Sequence, residues 1–314
     1  MMERPHVPVL RDEILGFLEP GPGRRIVDGT FGFGGHGETL LEAGAEVLGL
    51  DLDQEAVAAC RRISTDRPRL SCQRRSFREL PAALAEAGWG PCDGLLLDLG
   101  VSSLQLDDPA KGFSYRAEGP LDLRFHQDRG RTASELIAQA DEKELVRILR
   151  EYGEDRGARP LARAIKAAHR AGPLQTTAQL TDAITTALPA GAPVNAVLSR
   201  VFQALRIAVN DELGALAEVL AQVPTALTPG GRVAVIAYHS LEDRLVKRWL
   251  DRERRDCLCP AELPVCRCGH RATVRPVTRG AVTATADEVR RNPRARSAKL
   301  RVAEALPADA RRPR

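Results

Sequence analysis

One stretch, RRIVDGTFGFGGHG followed by EVLGLD, constrains the fold more than any other part of the chain. Residues 24–28 read as a short strand that runs into a glycine loop. Residues 38–43 start a helix, and residues 46–51 form a second strand ending in an acid. Strand, glycine loop, helix and strand in that order make a βαβ unit, whose two strands are parallel. Residues 54–62 continue as a helix by their apolar spacing, and residues 70–73 as a third strand. CDGLLLDL, residues 92–99, is continuously apolar, as a strand buried on both faces must be. The alternation predicts an α/β fold with a parallel sheet.

After Gly100 the rhythm breaks. Residues 107–205 carry little strand signal and read as an all-helical insertion. Its helices cover residues 141–152, with Asp141 as N-cap and Gly153 as stop, then 159–170 and 177–188. The α/β pattern resumes with a helix over 207–227, closed by Pro229-Gly230-Gly231. A buried strand (232–238) and an amphipathic helix (241–254) follow, then an antiparallel pair of segments (273–278 and 299–303). The expected organisation is an α/β domain in two parts, 1–106 and 206–304, interrupted by a helical domain at 107–205, with a free tail at 305–314.

No apolar run approaches the roughly 18 residues of a membrane span, and MMERPHVPVLRDEIL lacks the apolar core of a secretion signal. A cytoplasmic protein without a membrane partner is expected. Seven cysteines in such a chain do not suggest a disulfide framework. The net charge of +4 matters less than its distribution: from Glu288 to the C-terminus nine Lys/Arg stand against three Asp/Glu. A basic segment of that kind suits a polyanion, because neutralised phosphates release counterions.

GFGGHG, residues 32–37, matches G-x-G-x-x-G, the spacing of dinucleotide loops. Asp51 lies 19 residues after Gly32, where an NAD site has its ribose-binding acid. Asp28 argues the other way. A carboxylate at the strand end would repel a pyrophosphate, but favours S-adenosylmethionine, which has no phosphate and carries an ammonium and a sulfonium. In the methyltransferase pattern glycines follow that acid at two, four and six positions; here Thr30, Gly32 and Gly34 stand there, a departure at the first. Two enzyme readings follow, a methyltransferase and an NAD-dependent oxidoreductase, beside a fold kept without catalysis.

Several stretches together resemble one family: HVPVLRDEIL, VDGTFGFGGHG, LLLDLGVSSLQLDDPAKGFSY, GPLDLR, FQALRIAVNDEL, GGRVAVIAYHSLEDRLVK and NPRARSAKLRVAE. The chain is similar, from His6 to about Glu304, to the ribosomal RNA small subunit methyltransferase H family, also called MraW. The resemblance implies a class I S-adenosylmethionine-dependent methyltransferase, Rossmann-like, with an inserted all-helical domain. It implies methylation of the exocyclic N4 amine of one cytidine in the decoding region of small-subunit (16S) rRNA, with the assembled subunit or free rRNA as the substrate. It implies cofactor contacts at Gly34, Gly35, His36, Asp51, Phe77, Asp98 and Gln105. Leu104 departs from a position often held by Pro.

The cytosine amine is a poor nucleophile because its lone pair is delocalised into the ring. An acceptor near it would stabilise the positive charge that grows on nitrogen. Many amino-methyltransferases place Asn/Asp/Ser-Pro-Pro-aromatic after the fourth strand. Here the position reads Asp98-Leu99-Gly100-Val101-Ser102-Ser103, which keeps the acceptor without the prolines. Asp98 serves the cofactor, the amine, or both, and Ser102 is a second candidate. His239, at the end of the fifth strand, contacts the base or a phosphate, or caps the next helix together with Ser240, whose box partner would be Asp243. For base stacking the candidates are Phe113, Tyr115 and Phe125, each of which also suits a core. For phosphates they are Arg290, Arg291, Arg294, Arg296, Lys299 and Arg301, whose alternation with apolar residues predicts a strand edge.

CLCPAELPVCRCGH sets Cys257, Cys259, Cys266 and Cys268 as two C-x-C pairs, with Pro260 and Pro264 stiffening the loop between them. Four thiols at such short range suggest a structural zinc; four free thiols in a surface hairpin are the alternative.

Overall fold

The computed structural model describes residues 8–307 apart from Ala261 and Pro264. Two compact units emerge, one made of Met1–Gly100 and Gly214–Arg314, the other of Val101–Leu213.

In the first unit, strands β1 (Arg25–Asp28), β2 (Glu46–Asp51), β3 (Leu70–Arg74), β4 (Cys92–Asp98), β5 (Leu227–Ala237), β6 (Val274–Pro276) and β7 (Lys299–Ala305) form one sheet. Their order is β3-β2-β1-β4-β5-β7-β6. β7 runs antiparallel to both its neighbours, and the pairs from β3 to β5 are all parallel. The fold is the Rossmann-like α/β fold with a helical insertion, and its sheet is mixed because the terminal antiparallel pair joins the parallel core. The strand order reverses between β1 and β4, which makes that point the crevice of the sheet.

Alternate residues of the central strands enter opposite layers. Leu95 and Leu97 of β4 pack with Val27, Val235 and the helix Glu212–Ala226, whereas Leu96 packs with Ile26, Ile236 and the helix Arg11–Leu18. Burial on both faces explains the unbroken apolar run of β4.

The helix after β1 starts at Gly35, not near Glu38, so His36 lies in its first turn. Gly34 caps it with a φ of 98°, in the left-handed region that glycine tolerates. Gly37 lies inside this helix, Gly35–Glu42, where a Cβ would stand 2.2 Å from Cε2 of Phe31. The same ring fills the space over Gly49, leaving 2.6 Å between Phe31 Cδ2 and an added Cβ. Phe31 is therefore a wedge between the helix Gly35–Glu42 and β2, and two glycines make room for it.

The helix Gln54–Asp66 is capped by Asp53, whose carboxylate accepts from Glu55 N at 3.0 Å. Its Cys60 is disulfide-bonded to Cys72 of β3, one pair where the sequence suggests no framework.

The second unit holds the helices Ser103–Asp107, Ala133–Gln139, Glu142–Glu151, Ala158–Ala171, Thr177–Ala187 and Val194–Asn210. Asp141 caps as expected, accepting from Glu144 N at 2.7 Å. The unit starts at Val101 and ends at Leu213, not at 107 and 205. Val101 packs on its core, and Asn210 ties the far end by accepting from Phe125 N and donating to Leu123 O.

Two further expectations are corrected on the return to the sheet. The helix over 207–227 is two helices, because Asp211 takes a φ of 49° and ends Val194–Asn210 before Glu212–Ala226 begins. Pro229-Gly230-Gly231 lies inside β5, where the register to β4 jumps between Cys92 and Gly94. It is an irregularity of the strand and not a helix stop.

The expected tail begins too early. Ala305 belongs to β7 and Leu306 N donates to Thr273 O at 2.9 Å. Residues 308–314 lie outside the described part, as does His6 at the other end.

Candidate functional site

Three parallel strands end in carboxylates: β1 in Asp28, β2 in Asp51 and β4 in Asp98. In sequence they are far apart; the order β2-β1-β4 sets them side by side. The loop after β1 is laced to its neighbours. Gly29 N donates to Leu96 O, Phe31 N to Leu50 O, and Asp98 N to Thr30 Oγ1 at 2.7 Å.

Asp51 is held by two backbone donors, Gly32 N at 2.8 Å on one oxygen and Asp53 N at 2.9 Å on the other. Burial still raises its pKa to about 6, the two N–H groups opposing. Asp28 is 1% exposed. One of its oxygens accepts from Thr30 N at 3.2 Å; Oδ2 meets no hydrogen-bond donor among the described residues. Burial, reinforced by the charges of Asp98 and Asp51, lifts Asp28 to about 7.

Asp98 is the most engaged of the three. Its Oδ1 accepts from Tyr238 Oη at 2.8 Å, and its Oδ2 lies 3.6 Å from His36 Nε2. Burial and the charge of Glu242 raise its pKa to about 7 although the Tyr238 hydrogen bond opposes the rise. Three acids crowded at the strand ends, two of them near neutrality, make a pocket of negative potential that a cationic ligand would relieve.

The model of the MraW methylase family matches residues 3–306. The chain is 49% identical over 304 residues to the ribosomal RNA small subunit methyltransferase H of Anaeromyxobacter sp. (strain K), covering 96% of this chain and 98% of that one. It is 50% identical over 312 residues to the protein of that name from Solidesulfovibrio magneticus, covering 96% of each.

The chain belongs to the MraW methylase family.

It is a methyltransferase, so the oxidoreductase reading of GFGGHG and the non-catalytic reading fall away. Among the expected cofactor contacts, Gly34, Gly35, His36, Asp51 and Asp98 sit on the first unit at the loop and strand ends just described. Phe77 begins the short turn after β3, and its Cβ would lie 3.0 Å from a Cβ added to Gly29. Gln105 lies in the second unit. There it completes a capping box with Ser102, each side chain bonding the other's backbone N–H at 3.1 and 3.0 Å.

The remaining candidates separate. Ser102 Oγ serves as that helix cap. His239, not Ser240, is the N-cap of the helix Ser240–Glu253, and the box partner is Glu242 rather than Asp243. His239 Nδ1 accepts from Glu242 N at 3.4 Å while its Nε2 lies 3.1 Å from Glu242 Oε1. The one-residue shift follows from β5 ending at Ala237, which leaves His239 extended. Asp243 instead binds Arg301 at 2.7 Å and Lys299 at 3.3 Å.

The aromatic trio is not an open stacking platform. Phe113 stacks on Phe125 at 5.4 Å and Tyr115 packs edge-on to Phe202 at 5.7 Å; Phe113 is buried in the core of the helical unit, and the half-buried Tyr115 and Phe125 pack against it.

The basic stretch is only partly a strand. Arg290 and Arg291 end a short helix, and Arg290 pairs with Asp287. Arg294 and Arg296 lie on the turn Pro293–Ser297; only Lys299 and Arg301 are on β7. Proline at 293 forces the turn, which the alternation of charges does not reveal.

Sequence reasoning passes over Tyr238 and Glu242. The signal for both is in YHSLED: a polar residue just past a strand and a Glu three residues after an N-cap.

The four loop cysteines converge. Their sulfurs all lie within 4.8 Å of one another. Pro264, between them, is outside the described residues.

Proposed function

We propose that this methyltransferase transfers a methyl group from S-adenosylmethionine to the exocyclic N4 amine of one cytidine in the decoding region of small-subunit rRNA, in the assembled subunit. The relatives' names support the rRNA substrate, and the family resemblance supports the cytidine amine. The observation that carries the cofactor is the crowding of Asp28, Asp51 and Asp98, with the buried Oδ2 of Asp28 meeting no donor among the described residues.

A pyrophosphate would be repelled there. A ligand with an ammonium and a sulfonium fits, because its charge favours the ionised forms that burial disfavours at all three acids and that the charges of Asp98 and Asp51 disfavour further at Asp28. In the first unit the residues that would hold it are Gly34, Gly35 and His36 of the loop, Asp51 for a ribose diol, Phe77 and Asp98; the family resemblance also implies a contact from Gln105. When bound, the cofactor supplies the methyl group and, in its sulfonium, the leaving group.

The chain's own task is positioning and charge. As the N–C bond forms, positive charge develops on the amine nitrogen, and an amine proton must find an acceptor. Asp98 suits that acceptor. Of the three catalytic candidates, Ser102 and His239 are engaged as helix caps, whereas Asp98 is a carboxylate poised near pH 7 and oriented by Tyr238. Tyr238 leaves one oxygen of Asp98 bound and the other beside His36.

The test is methylation of small subunits and of free rRNA from a strain lacking this enzyme, with the product mapped by mass spectrometry. A single new methyl on a cytidine N4 of the decoding region, on subunits in preference to free rRNA, is expected. A methyl on a ring carbon or a ribose would overturn the assignment, and full turnover by Asp98→Ala would remove Asp98 from the chemistry.

A further inference from the structure

We propose that Cys257, Cys259, Cys266 and Cys268 hold one zinc ion through four thiolates, and that this ion orders the loop between the helix Ser240–Glu253 and β6. The two C-x-C pairs approach head to head. Cys257 Sγ lies 3.3 Å from Cys266 Sγ and 3.7 Å from Cys268 Sγ, and the sulfurs of Cys266 and Cys268 are 3.6 Å apart. Around a tetrahedral zinc with Zn–S bonds of about 2.3 Å, sulfurs stand roughly 3.7–3.8 Å from each other. These separations are far longer than the roughly 2.05 Å of a disulfide. They are too short for ligands spread over the irons of a multinuclear cluster. A single soft-tolerant ion with no geometric preference other than tetrahedral is what they fit, and zinc is the common occupant.

A second observation points the same way. Backbone N–H groups are turned onto the sulfurs: Leu258 N onto Cys268 Sγ at 3.3 Å, Cys259 N onto Cys257 Sγ at 3.4 Å, and Arg267 N onto Cys259 Sγ at 3.3 Å. Donors aimed at sulfur offset the negative charge of thiolates bound to a divalent cation.

The loop also needs a staple. It is pinched at its base, where Thr273 N donates to Glu253 O at 2.8 Å and Thr273 Oγ1 to Glu253 Oε2 at 2.7 Å. Beyond that base the chain has no helix or strand among the described residues, and Leu263 and Val265 are exposed at 45% and 68%. So long an excursion without a core of its own calls for a crosslink.

The experiment is metal analysis of the full chain purified without chelator, followed by titration of its thiols with a mercurial in the presence of a zinc indicator. About one zinc per chain, released in step with thiol modification, is expected. The double variant Cys257→Ser/Cys259→Ser loses the metal. Reloading the wild-type chain with cobalt gives the strong absorption bands of a tetrahedral thiolate site, a readout that does not depend on the variant folding. Less than about half an equivalent of zinc, undiminished zinc in the double variant, disulfides among the four cysteines, or cobalt spectra without thiolate bands would each overturn the proposal.

Discussion

Tyr238 Oη donates to Asp98 Oδ1 at 2.8 Å, joining the residue that follows β5 to the last residue of β4. This bond pulls the pKa of Asp98 down against the burial that raises it. Removing the hydroxyl with Tyr238→Phe therefore raises Asp98 further. The expected result is a pH–rate profile for methyl transfer displaced upward by about one unit, with roughly a tenfold loss near neutrality that recovers at high pH. The half-buried ring keeps its packing, so the melting temperature changes little. Superimposable profiles for the two proteins would show that Tyr238 does not tune Asp98.

Cofactor binding is linked to protons. Asp28 and Asp98 titrate at about 7 and Asp51 at about 6 in the protein without ligand. A cationic ligand favours their ionised forms, so binding expels protons. Affinity for S-adenosylmethionine rises with pH between about 6 and 8, by up to roughly tenfold per unit per linked proton, and flattens above. S-adenosylhomocysteine, which lacks the sulfonium charge, shows a shallower rise. The sign for folding is the reverse: these raised carboxyl pKa values stabilise the ligand-free protein at about pH 4, and that contribution is lost as pH climbs through about 7. Calorimetry in buffers of differing ionisation enthalpy measures the protons released; none released at pH 6.5 would contradict the linkage.

Gly37→Ala drives a methyl into the Phe31 ring, 2.2 Å from Cε2. The ring cannot retreat toward β2, because it already fills the space over Gly49. A loss of about 1–3 kcal/mol in urea unfolding is expected, as for other overpacked cores. Shortening the wedge with Phe31→Leu relieves part of that loss. A double-mutant cycle with no coupling between the two positions would refute the wedge.

The basic residues near the C-terminus divide by partner. Arg301 is bound to Asp243 at 2.7 Å and is largely buried, whereas Arg296 is exposed on the turn after Pro293. Arg296→Ala weakens rRNA binding, lowers the slope of log affinity against log salt by about one, and leaves stability unchanged. Arg301→Ala lowers stability, since it strands a partly buried carboxylate. Equal effects of both on RNA affinity with no change in melting would show that the Asp243 pairing is not what Arg301 is for.

The sequence by itself determines much of this protein. The continuous apolar run of a buried strand, the glycine loop, the Asp cap and the C-x-C pairs are local patterns, and local chemistry reads them. Hence β2 is placed to the residue, the cap at Asp141 is found, and the helical insertion is recognised. Where a local rule has two solutions, tertiary contacts choose. Asp211 ends one helix and starts another at a position where the apolar periodicity runs on. His239 takes the cap in place of Ser240 because β5 stops at Ala237. Phe113 is buried in a core and stacks on the half-buried Phe125, so the pair presents no open platform.

Only the tertiary structure makes the acids a site. Asp28, Asp51 and Asp98 each look like a strand end on the page. The strand order β2-β1-β4 crosses the chain back on itself and crowds them in a space from which water is withdrawn. Burial raises Asp28 and Asp98 to about 7, helped at Asp28 by the charges of Asp98 and Asp51 and at Asp98 by that of Glu242, a set of neighbours that no spacing in one dimension encodes. The same holds for GFGGHG: its glycines are legible as a motif, but one of them exists because Phe31 folds back onto it, a contact that appears only once the helix is laid against the sheet.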